Sequence, residues 1–354
     1  MQQNDNMLSL FIPLGILILS GLITLSAVSP HLFHLQLIWV ALGIAIVFTF
    51  TVIDWRTIFN HRSIIWGFYG LSFLLLLIAY FASPLIRNTH SWLVLGPLTL
   101  QPVEFMKIAL IFLYAIYFSR RHVAVARWQN IAASFLFFAV PAAVAVKLPD
   151  LGSAIIFFGI WFGFLVLSGL PLRRIAAAIF IFILAGGFIW TYAMHDYQRQ
   201  RIIGFLYPQQ HSLGINYSSA QAKIAIGSAG WLGKGYGAGT QTQYGFLSEP
   251  TEDFIFAAIV EEWGMIGGLL VVAAFFFLIY QILSIGSFAD ENFEKFICLG
   301  AAMMFGVQFF LNAGSATGLL PVVGVTFPFV SYGGSSMMVD FFLVAVVNSI
   351  RKRS

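Results

Sequence analysis

Charged residues inside apolar segments are the first candidates for chemistry in this chain. Glu104 and Lys107 stand three residues apart at the start of one apolar run, Asp150 opens another, and Asp253 precedes a third. A charge in mid-membrane costs at least about 2.5–3.5 kcal/mol, so such residues are candidates for function. The i, i+3 spacing places Glu104 and Lys107 on one helix face, within pairing distance.

Each of these residues also has a purely structural explanation. Glu104 and Lys107 form either a self-neutralised ion pair or the polar floor of an outward-facing cavity that offers Lys107 to an anionic substrate. Asp150 is either a helix N-cap or a site residue. Asp253 is an N-cap, an anion at the positive end of a helix dipole, or a half-sheltered carboxylate that removes a proton from a hydroxyl. The residues alone leave these alternatives open.

Three more acids lie in apolar runs. Glu261 and Glu262 follow Asp253 by about 12 Å on the same predicted helix. Because two adjacent acids cannot both face one partner, we expect one of them to point to a neighbouring helix or a polar cavity. Asp340 lies inside the last run, and the sequence offers it no local partner.

The other reactive residue types form no recognisable catalytic or metal motif. The 7 histidines are scattered without HExxH spacing, no GxSxG occurs, and the single cysteine, Cys298, allows no internal disulfide or CxxC site. The glycine-rich stretch 227–239 has no preceding strand and no GK[ST], which favours a tightly turned loop over a phosphate-binding one. Zinc, serine-hydrolase and redox chemistry are therefore not indicated.

The composition is that of a membrane protein. Of 354 residues, 60% are hydrophobic and 9% are charged, against roughly 25% charged in soluble domains. The net charge of +4 does not indicate nucleic-acid binding, because the basic residues come in short clusters between apolar runs. We expect an all-α, polytopic integral membrane protein.

Ten apolar runs approach the length of about 20 residues that a membrane-spanning helix needs. They cover residues 8–28, 34–53, 64–82, 103–118, 130–147, 152–169, 175–193, 254–283, 296–317 and 333–350. The eighth is long enough to tilt or to project beyond the bilayer. The proline- and glycine-rich segment 317–336 cannot be one regular helix, and it predicts a re-entrant or broken segment beside a site.

The basic residues between these runs predict that both termini are cytoplasmic. In that orientation most of them lie on the inner side: Arg56, Arg62, Arg120, Arg121, Arg127, Arg173, Arg174, Lys295, Arg351, Lys352 and Arg353. The short outer loops hold only Arg87, with Lys147 at a span end. Residues 194–252 form one large outer loop between the seventh and eighth spans, and its amphipathic stretch 218–226 could lie on the membrane surface.

Five blocks along nearly the whole chain resemble the SEDS family (shape, elongation, division and sporulation). In order they are LQPVEFMKIA at 100–109, PDLGSA at 149–154, QAKIAIGSAGWLGKGYGAGTQTQ at 221–243, EDFIFAAIVEEWG at 252–264 and LLPVVGVTFPFVSYGGSS at 319–336. MHDYQRQRI at 194–202 is closer to the rod-shape branch, RodA, than to the division branch, FtsW. The resemblance implies a single SEDS membrane domain over residues 1–354.

The resemblance implies a peptidoglycan glycosyltransferase that polymerises lipid II on the outer face of the bacterial cytoplasmic membrane and releases undecaprenyl diphosphate. Asp253 maps onto the catalytic aspartate of the family. The substrate-binding residues expected with it are Glu104, Lys107, Asp150, Arg199, Arg201, Lys223, Trp92 and Ser331. Mg²⁺ or Mn²⁺ is a plausible cofactor, although no motif defines a metal site. A class B penicillin-binding protein, a transpeptidase, is the expected partner.

Several positions depart from the family pattern. Thr251 and Glu252 replace the usual His-Thr, Val103 replaces a serine, Ser91 replaces a basic residue before Trp92, and Asp340 stands at a usually apolar position. Two other functions remain to be weighed, a lipid II flippase and a scaffold without chemistry of its own. A flippase needs polar access from both faces, whereas the charges placed in spans cluster at their outer ends.

Overall fold

The computed structural model is a bundle of apolar helices, and it describes residues 8–53, 55–59, 61–83, 91–95, 98–120, 128–169, 171–194, 196–207 and 216–352. In chain order the elements are α1 (Leu8–Val28), α2 (Pro30–Val52), α3 (Trp55–Phe59), α4 (Arg62–Ala82), β1 (Leu93–Leu95), β2 (Leu98–Leu100), α5 (Pro102–Ser119), α6 (Trp128–Lys147), α7 (Leu151–Leu167), α8 (Leu172–Phe188), a π-helical turn (Ile189–Ala193), α9 (Asp196–Leu206), α10 (Tyr217–Ser228), α11 (Thr240–Gln243), α12 (Ile255–Phe288), α13 (Asn292–Thr317) and α14 (Gly334–Arg351).

Nine of the described helices are long and apolar enough to cross a membrane. They correspond to nine of the ten predicted runs, which confirms the polytopic all-α architecture. The remaining run, 152–169, is the 17-residue helix α7. At 1.5 Å per residue it is about 26 Å long, somewhat less than the hydrocarbon core of about 30 Å. It packs between α5, α6 and α13.

The centre of the bundle is α5. This helix contacts α4, α6, α7, α13 and α14, and almost every one of its side chains is buried. The two charged residues of α5 in this apolar surrounding, Glu104 and Lys107, therefore lie inside the protein.

One element of the outer segment between α4 and α5 was not predicted. β1 and β2 form a two-stranded antiparallel hairpin in which Leu93 pairs with Leu100 and Leu95 with Leu98. Strand runs of three residues are too short to show a period-2 pattern in the sequence. The hairpin contacts α14 through β2.

The large outer loop is folded in the part that the structure describes, which leaves out residues 195 and 208–215. α10, which includes the amphipathic stretch 218–226, packs against α12 and α13 with Ala222 and Ala225 buried. Part of its surface is therefore covered by protein.

The glycine-rich stretch 227–239 is a series of tight turns wrapped around a kink in α12. The kink is at Gly264, which has a φ of +72°. The Lys234 and Gly235 amides donate to the Glu261 and Glu262 carbonyls at 2.9 and 3.0 Å, so the loop uses carbonyls at the kink. A Cβ on Gly264 would collide with the carbonyl oxygen of Trp231, so this close approach needs glycine.

The two acids beside the kink have different partners, and Glu261 points to the neighbouring short helix α11, as expected for one of them. Glu261 accepts hydrogen bonds from the Gln241 amide at 2.8 Å and from the Thr242 hydroxyl at 2.7 Å, and it pairs with Lys234 at 2.7 Å. Glu262 accepts one from the Gly237 amide at 3.2 Å. The loop curls around the kinked helix and therefore reaches two adjacent side chains.

The predicted break near the C-terminus is confirmed. α13 ends at Thr317, α14 begins at Gly334, and the intervening backbone is irregular. Gln36 of α2 donates to the Ser331 carbonyl at 3.2 Å, and α1 passes so close that a Cβ on Gly21 would collide with the Val330 carbonyl. Irregular backbone at membrane depth is tolerated where protein covers it, as here.

The two ends of the bundle differ in charge. The short connections that carry most of the basic residues lie at the end away from the loop 194–252, which we call the inner end, and the opposite end is the outer end. Arg87, Arg121, Arg127 and Arg353 lie outside the described residues.

Candidate functional site

A cleft of about 190 Å³ lies at the outer end of the bundle, between α9, α10 and the two chain segments that precede α12 and follow α13. Asp253 lines it together with two cations, Arg201 and Lys223. The remaining lining residues are Gly204, Phe205, Asn216, Ser218, Ser219, Ala220, Ser248, Glu249, Phe254, Gly318, Leu320, Pro321 and Val322. Three predicted site residues, far apart in sequence, thus meet in one cavity.

Asp253 does not act as the N-cap of α12. The helix begins at Ile255, and its N-cap residue is Phe254, without a side-chain cap. Asp253 instead belongs to the preceding turn, is partly exposed and faces Gly324, where a Cβ would lie 4.0 Å from its Oδ2. Asp253 is therefore not the N-cap residue of α12, and it lines the cleft just before the positive end of that helix. Its roles as a dipole anion and as a proton acceptor both stay predictions.

The turn that carries Asp253 is held through its main chain by Asn312 of α13. The Asn312 side-chain amide donates to the carbonyls of Glu252, Asp253 and Val325 at 3.2, 3.1 and 2.8 Å. Asn312 is 1% exposed, so these bonds are shielded from water. One buried amide therefore ties the catalytic candidate to the irregular segment before α14.

Ser331 holds the same turn from the other side. Its hydroxyl donates to the Glu252 carbonyl at 2.7 Å and accepts from the Phe327 amide at 2.8 Å, and the side chain is buried. The Tyr332 amide donates to the Thr251 carbonyl at 2.9 Å. Ser331 is not on the cleft wall, so the geometry gives it a positioning role and does not support contact with a ligand there.

These contacts also bear on the departure at positions 251 and 252. The hydrogen bonds that position the turn use the main-chain carbonyls of Thr251 and Glu252. Main-chain carbonyls do not depend on the side chain that accompanies them. The replacement of His-Thr by Thr251-Glu252 is therefore compatible with the observed position of Asp253.

The two cations of the cleft come from the outer loop. Arg201 of α9 donates to the Val322 carbonyl at 3.4 Å, which joins α9 to the irregular segment. Lys223 of α10 crosses the left-handed C-cap of α13 at Gly318, where any Cβ would collide with its Cε. The cleft thus contains two cationic residues together with Asp253 and a second acid, Glu249.

Arg199 lies outside the cleft. Its guanidinium donates to the carbonyls of Trp190 and Thr191 at 2.9 and 3.0 Å and lies 3.5 Å from Asp196. These bonds brace the junction between the π-helical turn and α9. The geometry therefore gives Arg199 a structural task, in contrast to Arg201 two residues later.

Glu104 and Lys107 form a buried ion pair, with Nζ 2.6 Å from Oε2 and exposures of 5% and 1%. Neither residue lines the cleft. The ion-pair alternative describes them, and Lys107 is not presented to a ligand in this conformation. Asp340 of α14, which had no partner in the sequence, lies in the electrostatic range of both.

Asp150 caps α7, as one of its two alternatives predicted. Its carboxylate accepts from the Ser153 amide at 3.0 Å, from the Ser153 hydroxyl at 2.8 Å and from Gln101 at 3.3 Å. Asp150 also lies in the electrostatic range of Lys107. Asp150 therefore lies with the buried Glu104–Lys107 pair of α5, and it is absent from the cleft lining.

Trp92 precedes β1 and is partly buried, away from the cleft lining. The neighbouring Ser91 is buried, and its hydroxyl donates to the Leu148 carbonyl at 3.3 Å. A neutral hydroxyl fits this position, where the family usually has a basic residue. Contact of Trp92 with a substrate stays a prediction.

The family model described as cell cycle protein (FtsW, RodA, SpoVE) matches residues 6–354, which is nearly the whole chain. The chain belongs to this family. The resemblance to SEDS proteins inferred from five sequence blocks is thereby confirmed.

Curated relatives of this SEDS protein include the peptidoglycan glycosyltransferase MrdB of Escherichia coli, 38% identical over 269 residues, which cover 75% of this chain and 72% of the relative. Stage V sporulation protein E of Bacillus subtilis is 31% identical over 326 residues, covering 90% and 86% of the two chains. A probable peptidoglycan glycosyltransferase FtsW of Haemophilus influenzae is 35% identical over 274 residues, covering 76% and 68%.

Two solved structures share the fold over 99% of this SEDS chain. One belongs to a study of the structural coordination of polymerization and crosslinking by a peptidoglycan synthase complex, with a TM-score of 0.84 and 26% identity over 99% of that chain. The other is the rod shape determining protein RodA of Thermus thermophilus, with a TM-score of 0.73 and 23% identity over 98% of that chain. The second supports the fold alone.

Two residues of this SEDS site were not predicted. Glu249 lines the cleft with Asp253, and Asn312 positions the Asp253 turn. A polar amide inside the apolar run 296–317 was a usable signal for Asn312, because buried polar groups need hydrogen-bond partners. Glu249 lies in an exposed turn, where an acid carries no such signal.

Proposed function

We propose that this membrane protein polymerises lipid II into glycan strands, with release of undecaprenyl diphosphate. The relatives' activity as peptidoglycan glycosyltransferases applies to this chain, because it matches their family over its length. The observation that carries the proposal is the outer-end cleft, where the Asp253 carboxylate lies with the cations Arg201 and Lys223.

The cleft residues suit the two halves of a glycosyl transfer. The acceptor sugar's 4-hydroxyl attacks the anomeric carbon of the donor, and Asp253 takes the hydroxyl proton as the new C–O bond forms. The bond from the anomeric carbon to the diphosphate breaks, and its electron pair leaves with the diphosphate. Arg201 and Lys223 stabilise the charge that gathers there.

The positioning network sets where Asp253 can act. Because Asn312 and Ser331 hold the main chain on both sides of the carboxylate, Asp253 pays little conformational entropy to reach a productive position. Lys223 contacts Gly318, and Arg201 donates to the Val322 carbonyl. The segment that contains both contacts continues to Val325, whose carbonyl accepts from Asn312. The base and the cations therefore share one support.

A divalent cation would fit this chemistry if the cleft carboxylates and the substrate diphosphate held it together. Among the described residues there is no group of three His, Cys, Asp or Glu side chains able to hold a metal ion. The cleft nevertheless has two carboxylates, Glu249 and Asp253, and Mg²⁺ is commonly bound by one or two carboxylates together with substrate phosphates. Bound there, Mg²⁺ or Mn²⁺ would neutralise part of the diphosphate charge.

The place of action follows from the orientation. The protein crosses the membrane several times, and with the basic inner end in the cytoplasm the cleft opens on the outer face of the bacterial cytoplasmic membrane. The exposed apolar helix surfaces would accommodate the polyprenyl tails of substrate and product. We expect a class B penicillin-binding protein as partner, since a structural neighbour was solved in a study of a complex that polymerises and crosslinks.

The test compares wild type with Asp253→Asn, purified with the penicillin-binding partner and given lipid II while penicillin blocks crosslinking. Asn keeps the shape of the side chain and removes the basic oxygen, so polymer on a gel should disappear. Asp290→Asn, at an exposed acid at the inner end, is the matched control and should polymerise normally.

The outcomes separate the alternatives. Equal polymer from wild type and Asp253→Asn would move the base away from Asp253. A folded wild-type complex that makes no polymer would favour the flippase or the scaffold, and a lipid II translocation assay in vesicles would then decide between those two.

A further inference from the structure

A second groove, of about 50 Å³, lies between α4 and α5 at the inner end, opposite the catalytic cleft. Its lining is Arg62, Trp66, Leu113, Ile116, Tyr117 and Arg120. Arg62 is the first residue of α4, and Arg120 directly follows the end of α5. Two cations from neighbouring helices thus converge on one small cavity.

The charge of this groove is not balanced by the described residues that line it. None of the six lining residues is acidic. Nearby, Arg56 forms an ion pair with the buried Glu294, whereas the described part of the chain shows no such pair for Arg62 or Arg120. Both guanidiniums are exposed and can accept an anion from outside.

The remaining lining describes what kind of anion fits. The groove has an apolar floor, Leu113 and Ile116, and two partly buried aromatic residues, Trp66 and Tyr117. Tryptophan and tyrosine favour the depth of lipid headgroups. Arginine binds phosphate with two parallel N–H donors. A ligand with a phosphate and an apolar continuation matches every part of this lining.

We propose that this groove binds the phosphate headgroup of an anionic phospholipid of the cytoplasmic leaflet. Basic pockets between spanning helices on the cytoplasmic side favour such headgroups, by about fivefold in affinity for each Lys or Arg near the surface. Large apolar side chains of α4, such as Leu71 and Leu74, are exposed beyond the groove, and the acyl chains would cover this surface. The site is separate from the catalytic cleft and does not depend on the proposed activity.

The test measures lipid binding to the full chain in a nonionic detergent by native mass spectrometry. Phosphatidylglycerol is compared with phosphatidylcholine of the same acyl chains, and inorganic phosphate is added as a soluble competitor. Arg62→Gln/Arg120→Gln should weaken the tightest phosphatidylglycerol binding by about 25-fold and leave phosphatidylcholine binding unchanged. Arg62→Lys/Arg120→Lys keeps both charges. On a logarithmic scale, its loss of phosphatidylglycerol affinity should be less than half of the loss in the glutamine variant.

The matched control is Arg173→Gln/Lys352→Gln, which removes two exposed cations of the inner end outside the groove. It should change phosphatidylglycerol binding by less than twofold. An equal loss in this control would reduce the effect to general surface charge and overturn the site. Equal binding of phosphatidylglycerol and phosphatidylcholine would also overturn the site, and an acidic protein segment would then be the occupant to consider. Loss of phosphatidylglycerol binding in millimolar phosphate would overturn the lipid as ligand and favour free phosphate.

Discussion

Replacement of Asn312 by leucine tests whether one buried amide positions Asp253, the proposed general base. The Asn312 amide carries two N–H donors, yet it lies 2.8–3.2 Å from three main-chain carbonyls, those of Glu252, Asp253 and Val325. Leucine has the same branched shape but no donor. The Glu252 carbonyl keeps its bond from Ser331, so two buried carbonyls lose their partner, at about 1–3 kcal/mol each. Because leucine burial offsets part of this loss, Asn312→Leu should lower the free energy of unfolding by roughly 1–4 kcal/mol.

The effect on catalysis should be larger than the effect on binding. A displacement of about 1 Å at a reacting group can reduce the rate by about 10²-fold. We therefore expect kcat for lipid II polymerisation to fall by about that factor, while KM changes less than threefold, because Arg201 and Lys223 remain in the cleft. The assay is steady-state polymerisation with the crosslinking partner blocked by penicillin, together with thermal unfolding in detergent.

Gln308 supplies the matched control one helical turn earlier. It is a fully buried amide on α13, and neither of its side-chain polar atoms has a hydrogen-bond partner in the described structure. Gln308→Leu should therefore leave kcat unchanged and keep or raise the Tm. If Asn312→Leu polymerised at the wild-type rate, or if both variants lost the same activity, the positioning argument would be refuted.

Three further variants probe the buried charges. Lys107→Met leaves the Glu104 carboxylate buried without its cation and should lower the free energy of unfolding by about 3–5 kcal/mol. The double variant with Glu104→Gln should recover most of this loss in thermal unfolding. Equal losses in the single and the double variant would contradict the ion pair. Asp340→Asn removes the charge of a buried acid that has one unpaired oxygen, and because a buried charge costs more than a buried amide, we expect a higher Tm. A lower Tm would mean that the charge contributes to stability. Glu261→Gln removes the charged partner of Lys234 and weakens the charge-assisted hydrogen bonds to the loop. Tryptic cleavage after Lys234 should therefore accelerate about tenfold. An unchanged cleavage rate would show that the loop is held by its main-chain hydrogen bonds.

Local signals explain what could be predicted from the sequence. Apolar runs of membrane length are visible in a linear window, and nine became spanning helices while the tenth became the shorter α7. The cap at Asp150 and the break between α13 and α14 were predictable for the same reason, because proline, glycine and Asp act on their immediate neighbours.

The alternatives that the sequence left open were decided by contacts between distant segments. Asp253, with three possible explanations, is a partly exposed cleft residue whose turn before α12 is held by Asn312, 59 residues later. Lys107, one of the predicted substrate contacts, is buried because α5 is surrounded by five other helices. Neither outcome has a signature within a few residues.

The residue pattern along the chain thus predicts the membrane architecture, the family and the small set of charged residues that could do chemistry. Insertion of each apolar run into a membrane depends on its own composition, which can be read from a local window of the sequence. Tertiary structure alone decided which charges share a cavity, since Asp253, Arg201 and Lys223 meet only after α9, α10 and α12 have packed. A polar side chain can be a ligand contact, a cap or half of an ion pair, and the choice depends on which partner the fold brings within hydrogen-bond distance.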